Sequence, residues 1–120
     1  MSGITLYHNT SCSTSRHAVD IATASGQPVE IVQYLKTPLD RKALLELIGI
    51  LEDPAEDLVR KDPFFAAQGL RAGDYRTPEQ VADLLVRFPR LMQRPVLRRD
   101  GRAIIGRPPN RVDEFLSEKA

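Results

Sequence analysis

Apolar positions along the chain switch between the two-residue period of strands and the three-to-four-residue period of helices. From Gly3 to His8, Ile4 and Leu6 alternate with Thr5 and Tyr7, which predicts a strand, and the polar run Asn9-Thr10-Ser11 ends it. Ala18, Ile21, Ala22 and Ser25 then recur at helical spacing before Gly26, which predicts a helix from about Ser13 to Ser25. Val29 to Gln33 reads as a short buried strand. Strand, helix, strand in this order is a βαβ unit, whose two strands lie parallel in one sheet with a right-handed crossover. An α/β fold follows.

Three further helices are predicted by start signals. Thr37-Pro38-Leu39-Asp40 places a capping residue and a proline ahead of Leu44, Leu45, Leu47, Ile48 and Leu51. Asp53-Pro54-Ala55-Glu56 repeats that opening for a shorter helix, and Thr77-Pro78-Glu79-Gln80 repeats it again. After the last of these, Val81, Leu84, Leu85 and Phe88 follow the spacing of a core-facing helix, which Pro89 closes. Val96 to Arg99 and Arg102 to Gly106 flank Asp100-Gly101, a strong signal for a two-residue β-hairpin. A final helix is expected from about Pro109 to Glu118, and the stretch from Lys61 to Arg76 reads as an irregular loop. The order is βα, β, three helices, ββα.

Size and composition narrow the picture. With 120 residues, 42% hydrophobic and 28% charged, the chain suits a single domain spanning residues 1–120 and folding around its own core. The 17 basic and 16 acidic residues give a net charge of +1, too weak a field to imply a nucleic-acid or membrane partner. Neither a signal peptide nor a membrane-spanning stretch is evident, so a cytoplasmic monomer is the expectation. The single cysteine cannot form an internal disulfide or run a dithiol cycle on its own.

That cysteine is the leading candidate for chemistry. A thiol at the mouth of a helix feels unpaired backbone N–H groups and the positive end of the dipole, which favour thiolate. Cys12 is so placed, with hydroxyls on Ser13, Thr14 and Ser15, a cation at Arg16 and His8 upstream. A cysteine-based phosphatase loop fails because Ala18 stands where that motif needs arginine, and a C-x-x-C pair fails at Ser15. What remains is a monothiol, whose adducts an external thiol must resolve. Arg60, Arg94 and Arg107 each sit at the end of an element, and guanidinium groups converging on a thiolate would bind a tetrahedral oxyanion. Taken singly, Cys12 equally suits an inert buried position, and each arginine a surface charge. One cysteine with His8 and His17 shows no metal-ligand spacing, so no metal is expected.

Taken together, these residues resemble the glutaredoxin-linked arsenate reductase family, a branch of the thioredoxin superfamily with a helical insertion. The resemblance rests on Ile4-Thr5-Leu6-Tyr7-His8-Asn9, Cys12-Ser13-Thr14-Ser15-Arg16, Tyr34-Leu35 with Thr37-Pro38, Val59-Arg60-Lys61, Arg94-Pro95-Val96 and Ile105-Gly106-Arg107-Pro108. It implies a thioredoxin-like fold with a four-stranded mixed sheet and an insertion over about residues 38–90. By the same resemblance Cys12 is the nucleophile, and His8 helps lower its pKa. Arg60, Arg94, Arg107 and Ser15 bind the substrate, and the Arg94–Pro95 bond is cis, although statistics alone favour trans.

The implied reaction is attack of Cys12 on arsenate, displacement by glutathione as reducing co-substrate, and clearance of the mixed disulfide by glutaredoxin, with no bound cofactor. Three departures stand out: Thr10 where the family usually has proline, Ser13 where glycine is frequent, and an end at Ala120 where plasmid-type reductases continue. Two other readings stay open. One is a monothiol oxidoreductase acting on glutathione mixed disulfides or another oxyanion. The other is a relative of an RNA polymerase-binding regulator, whose C-x-x-C switch this chain lacks at Ser15.

Overall fold

A computed structural model of the chain describes residues 3–117. Strand β1 (Ile4–His8) leads into helix α1 (Ser13–Ala24) and strand β2 (Val29–Gln33). Helices α2 (Arg41–Ile50), α3 (Pro63–Ala67) and α4 (Pro78–Arg87) follow, with single 3₁₀ turns at Ala55–Leu58, Ala72–Asp74 and Pro89–Leu91. Strands β3 (Val96–Arg99) and β4 (Arg102–Ile105) and helix α5 (Asn110–Ser117) complete the order. The four strands form one mixed sheet in the order β2-β1-β3-β4, with β1 and β2 parallel and the other pairs antiparallel.

Strand alternation divides the core into two layers. Ile4 and Leu6 of β1, Leu97 of β3 and Ile104 of β4 pack with Ala18 and Ala22 of α1 and with Val112, Phe115 and Leu116 of α5. Their neighbours Tyr7, Val96, Ala103 and Ile105 pack instead with Leu44, Leu47 and Ile48 of α2 and Val81, Leu84 and Leu85 of α4. Side chains on successive strand residues point to opposite faces, so a sheet covered on both sides needs apolar residues at consecutive positions. The helical insertion supplies the second cover. Among the described residues, no helix is long and apolar enough to cross a membrane.

Several expected boundaries move, for identifiable reasons. Helix α2 begins at Arg41 rather than at Pro38, because the Asp40 carboxylate accepts from the Ala43 backbone N–H at 2.8 Å. Thr37 instead turns back on the preceding strand, its hydroxyl donating to the Gln33 carbonyl at 3.3 Å. The Asp53-Pro54 signal yields only a 3₁₀ turn, since the Asp53 carboxylate is engaged elsewhere and caps nothing. Within the stretch read as a loop, Asp62 caps the Phe65 N–H at 3.0 Å and Pro63 opens α3, the same signature that marks the other helices.

Strand β2 is an edge rather than a buried strand, with Ile31 42% exposed, because β1 alone flanks it. Strand β4 ends one residue early, at Ile105, and α5 starts at Asn110. The expected helix end at Glu118 lies outside the described residues. Two expectations hold in detail: Thr77 and Gln80 form a reciprocal capping box on α4, and β3 pairs with β4 across Asp100-Gly101, with Asp100 at φ +54°.

The hairpin decides where the segments flanking it meet. Val96 pairs with Ile105, so the residues just before β3 and just after β4 lie side by side. The Gly106 N–H donates to the Pro95 carbonyl at 2.8 Å. A Cβ added at Gly106 would lie 2.8 Å from Pro95 Cγ, 3.0 Å from Val112 Cγ2 and 3.1 Å from Leu97 Cδ1. Gly106→Ala is therefore expected to destabilise the fold by about 1–3 kcal/mol, as overpacking does. Urea denaturation checks this, and an unchanged midpoint would show that the contact relaxes without cost.

Candidate active site

Cys12 is the residue that caps α1, in extended backbone at φ −104° and ψ 121°, and its side chain makes no ordinary cap hydrogen bond. A helix start leaves its first N–H groups without internal partners. Here the Ser15 backbone N–H points at the sulfur. The thiol is half-buried, and a tight turn shapes the approach to it, with the Cys12 N–H donating to the Asn9 carbonyl at 3.1 Å. Arg16 ties the same turn down from outside by donating to the Thr10 carbonyl at 2.9 Å.

Beneath this turn lies a buried polar layer. Ser15 is fully buried, and its hydroxyl oxygen lies 2.6 Å from His8 Nδ1 while accepting from the Asn9 N–H at 3.0 Å. Its hydroxyl is therefore committed inward, and only its backbone N–H faces the sulfur. Burial, then the Arg16 charge, hold the His8 pKa below the usual histidine value, so the imidazole is neutral at neutral pH. Through its contact with Ser15, His8 holds the start of α1, the element that positions the sulfur.

One of the three arginines bonds the sulfur, a second brings its charge close to it, and the third turns elsewhere. Arg107, just after β4, donates from Nη2 to Cys12 Sγ at 3.3 Å and from Nε to the Arg94 carbonyl at 2.7 Å. Arg94 brings its charge close to the sulfur and favours the thiolate. Its Nη1 also donates to the Arg90 carbonyl at 3.3 Å, while its buried Nε has no acceptor. The bond between Arg94 and Pro95 is cis, and so is Arg107–Pro108. Arg60 is half-buried and turned toward Asp62, Nε to Oδ2 at 3.5 Å, and makes no contact with the sulfur.

The balance of these effects sets the thiol. Burial alone pushes Cys12 up, but the Ser15 N–H and the guanidinium groups of Arg94 and Arg107 together bring it below the usual thiol value. A thiolate bonded to one guanidinium group and close to the charge of a second can attack an electrophile whose negative oxygens those same groups attract. Among the described residues, no cluster of three or more histidine, cysteine, aspartate or glutamate side chains offers a metal site.

Three residues take parts that patterning did not assign. Tyr34, 1% exposed, donates to the Met92 carbonyl at 3.3 Å, and its phenol lies against the Asn9 and Arg94 side chains, supporting both from below. Asp53 and Arg111 secure the segment that carries Arg107. Asp53 accepts from the Ile105 N–H at 2.9 Å and from Arg111 Nη1 at 2.7 Å. Arg111 Nη1 also donates to the Ile105 carbonyl at 2.9 Å and lies 3.5 Å from the Arg107 carbonyl. The sequence signal was present in Asp53 standing before Pro54, but it reads equally as a helix cap.

Comparison with known proteins places the chain in a family. A model described as the ArsC family matches residues 7–115. The chain is 34% identical over 114 residues to the uncharacterized protein YfgD of Escherichia coli strain K12, covering 94% of this chain and 96% of that protein. It is 36% identical over 99 residues to an arsenate reductase of the same strain, covering 81% and 69% respectively. A solved arsenate reductase from Vibrio cholerae superposes with a TM-score of 0.81 at 27% identity, over 94% of this chain and 97% of that one. Because the family match runs through both halves of the sheet and every segment that meets at the Cys12 sulfur, this chain belongs to the ArsC family and shares its thioredoxin-like fold.

Proposed function

We propose that this protein is an arsenate reductase that uses glutathione and glutaredoxin. The observation that carries the reading is Arg107 Nη2 at 3.3 Å from Cys12 Sγ, with the Arg94 charge close to the same sulfur. A nucleophile thus sits inside its own oxyanion clamp. The clamp also holds a buried donor, Arg94 Nε, that lacks an acceptor, a cost an arsenate oxygen bonding there would remove.

In the reaction proposed, the Cys12 thiolate attacks arsenic(V), an S–As bond forms and an arsenate oxygen leaves as water. Arg94 and Arg107 offset the charge gathering on the remaining oxygens. Glutathione thiolate then attacks Cys12 sulfur, the S–As bond breaks, and its electron pair stays on arsenic, giving arsenite and a mixed disulfide. A glutaredoxin thiol removes the glutathionyl group and restores Cys12. The single cysteine fits this scheme, because the second electron comes from an external thiol. Arg60, turned toward Asp62, joins the clamp by rotating toward a bound anion.

Cys12→Ser is expected to abolish arsenate-dependent oxidation of glutathione in an assay coupled to glutaredoxin; the wild-type protein showing no such turnover would reject the reading. Arg94→Ala is expected to lower kcat/KM for arsenate by about 10²–10³-fold, the usual loss when one donor to a developing oxyanion is removed. The alkylation rate with iodoacetamide is expected to rise with pH through a midpoint below that of an ordinary thiol, because the guanidinium groups favour the thiolate. Arg107→Ala moves that midpoint to higher pH and slows alkylation at neutral pH; an unmoved midpoint would show that Arg107 does not act on the thiolate.

A further inference from the structure

A cavity of about 320 Å³ shares Arg107 with the sulfur and extends away from it between the 3₁₀ turn at Ala55–Leu58 and the start of α5. Its volume falls at the lower end of small-molecule sites. Lys61, Asp57 and Gln93 line it, together with Arg107 and the Asp53–Arg111 pair. Two backbone hydrogen bonds stiffen one wall: the Gln93 N–H donates to the Leu58 carbonyl and the Arg60 N–H to the Leu91 carbonyl, both at 2.7 Å.

The charges of this cavity do not cancel internally. Asp53 and Arg111 neutralise each other at 2.7 Å. Lys61 donates only to a backbone carbonyl, that of Glu56, and among the described residues neither Lys61 nor Asp57 takes part in an ion pair. Arg107 spends Nε on the Arg94 carbonyl and Nη2 on the sulfur, and among the described residues its Nη1 makes no hydrogen bond. The Lys61 ammonium, the Asp57 carboxylate and the Nη1 donor of Arg107 therefore remain to meet a ligand. Gln93 adds a buried Oε1 that has no donor, an unfavourable state that a peptide N–H relieves.

A glutathionyl group presents the complement: two carboxylates, one ammonium and peptide N–H groups. We propose that this cavity docks the glutathionyl moiety, with Lys61 and Arg107 Nη1 receiving its carboxylates and Asp57 its ammonium. The inference rests on the reading above that glutathione is the co-substrate, and it assigns that co-substrate a place distinct from the arsenate clamp. Arg107 joins the two, so the incoming thiol is delivered to Cys12 from the side of the cavity.

The test needs no arsenate. When reduced protein meets oxidised glutathione, the Cys12 thiolate attacks one sulfur, that S–S bond breaks, a Cys12–glutathionyl disulfide forms and glutathione thiolate leaves. Lys61→Glu is expected to slow this reaction about tenfold, as reversal of a rim charge does, while leaving unchanged the rates with uncharged 4,4′-dithiodipyridine and iodoacetamide. Cystamine, which lacks carboxylates, is expected to react no slower with the variant. Lys42→Glu makes the same change in net charge at an exposed residue of α2 that does not line the cavity, and is expected to leave the oxidised glutathione rate as it is.

An unaltered rate with oxidised glutathione in Lys61→Glu overturns the proposal. So does an equal loss with all reagents, or an equal loss in Lys42→Glu. Selective slowing in a protein that does not turn over arsenate would keep the cavity and reject the substrate; arsenate turnover untouched by Lys61→Glu would do the reverse.

Discussion

Removing a sulfur anion from water is costly, and the contact between the Cys12 sulfur and Arg107 is what the rest of the site is arranged to make. Burial by itself pushes the thiol toward its neutral form, so the anion depends on donors brought close from outside its own helix. The Ser15 N–H comes with the helix start. The guanidinium groups do not; they arrive from residues far along the chain, and their positions depend on how the sheet closes.

The β3–β4 hairpin performs that closure. Its pairing of Val96 with Ile105 puts the Pro95 and Gly106 backbones within hydrogen-bond distance, so Arg94 and Arg107 emerge side by side next to β1, the strand that leads into Cys12. Glycine at 106 permits the approach, since any Cβ there would collide with Pro95 and Val112. Arg107 then locks onto the Arg94 carbonyl as well as the sulfur, which makes the two arginines one unit rather than two independent charges.

The helical insertion contributes more than a cover for the second face of the sheet. Asp53, where α2 gives way to a 3₁₀ turn, reaches across to the end of β4 and to Arg111 of α5, bracing the segment on which Arg107 stands. Tyr34, just after β2, braces Arg94 from below. His8 and Ser15 do the same for the start of α1. Each of these residues is committed to a partner and acts by restricting motion of a group nearer the sulfur, so a small domain presents a preorganised clamp.

Much of this was fixed by local sequence. Alternation in β1, the helical spacing after Cys12 and the Asp100-Gly101 turn give a βαβ unit with a thiol at its helix start and a hairpin, while the pairing of that hairpin with β1 came with the tertiary structure. Start signals were less decisive. Asp and Thr before proline read alike in sequence, so Thr37, Asp53 and Asp62 could be sorted into turn, brace and cap only when their acceptors and donors were in place. The partition of the arginines likewise belonged to the tertiary structure: Arg107 bonds the sulfur and Arg94 brings its charge close, while Arg60 turns to Asp62. Spacing along the chain sets backbone periodicity, which is local, whereas the direction of a long charged side chain is set by whichever opposite charge or carbonyl the folded chain brings within reach.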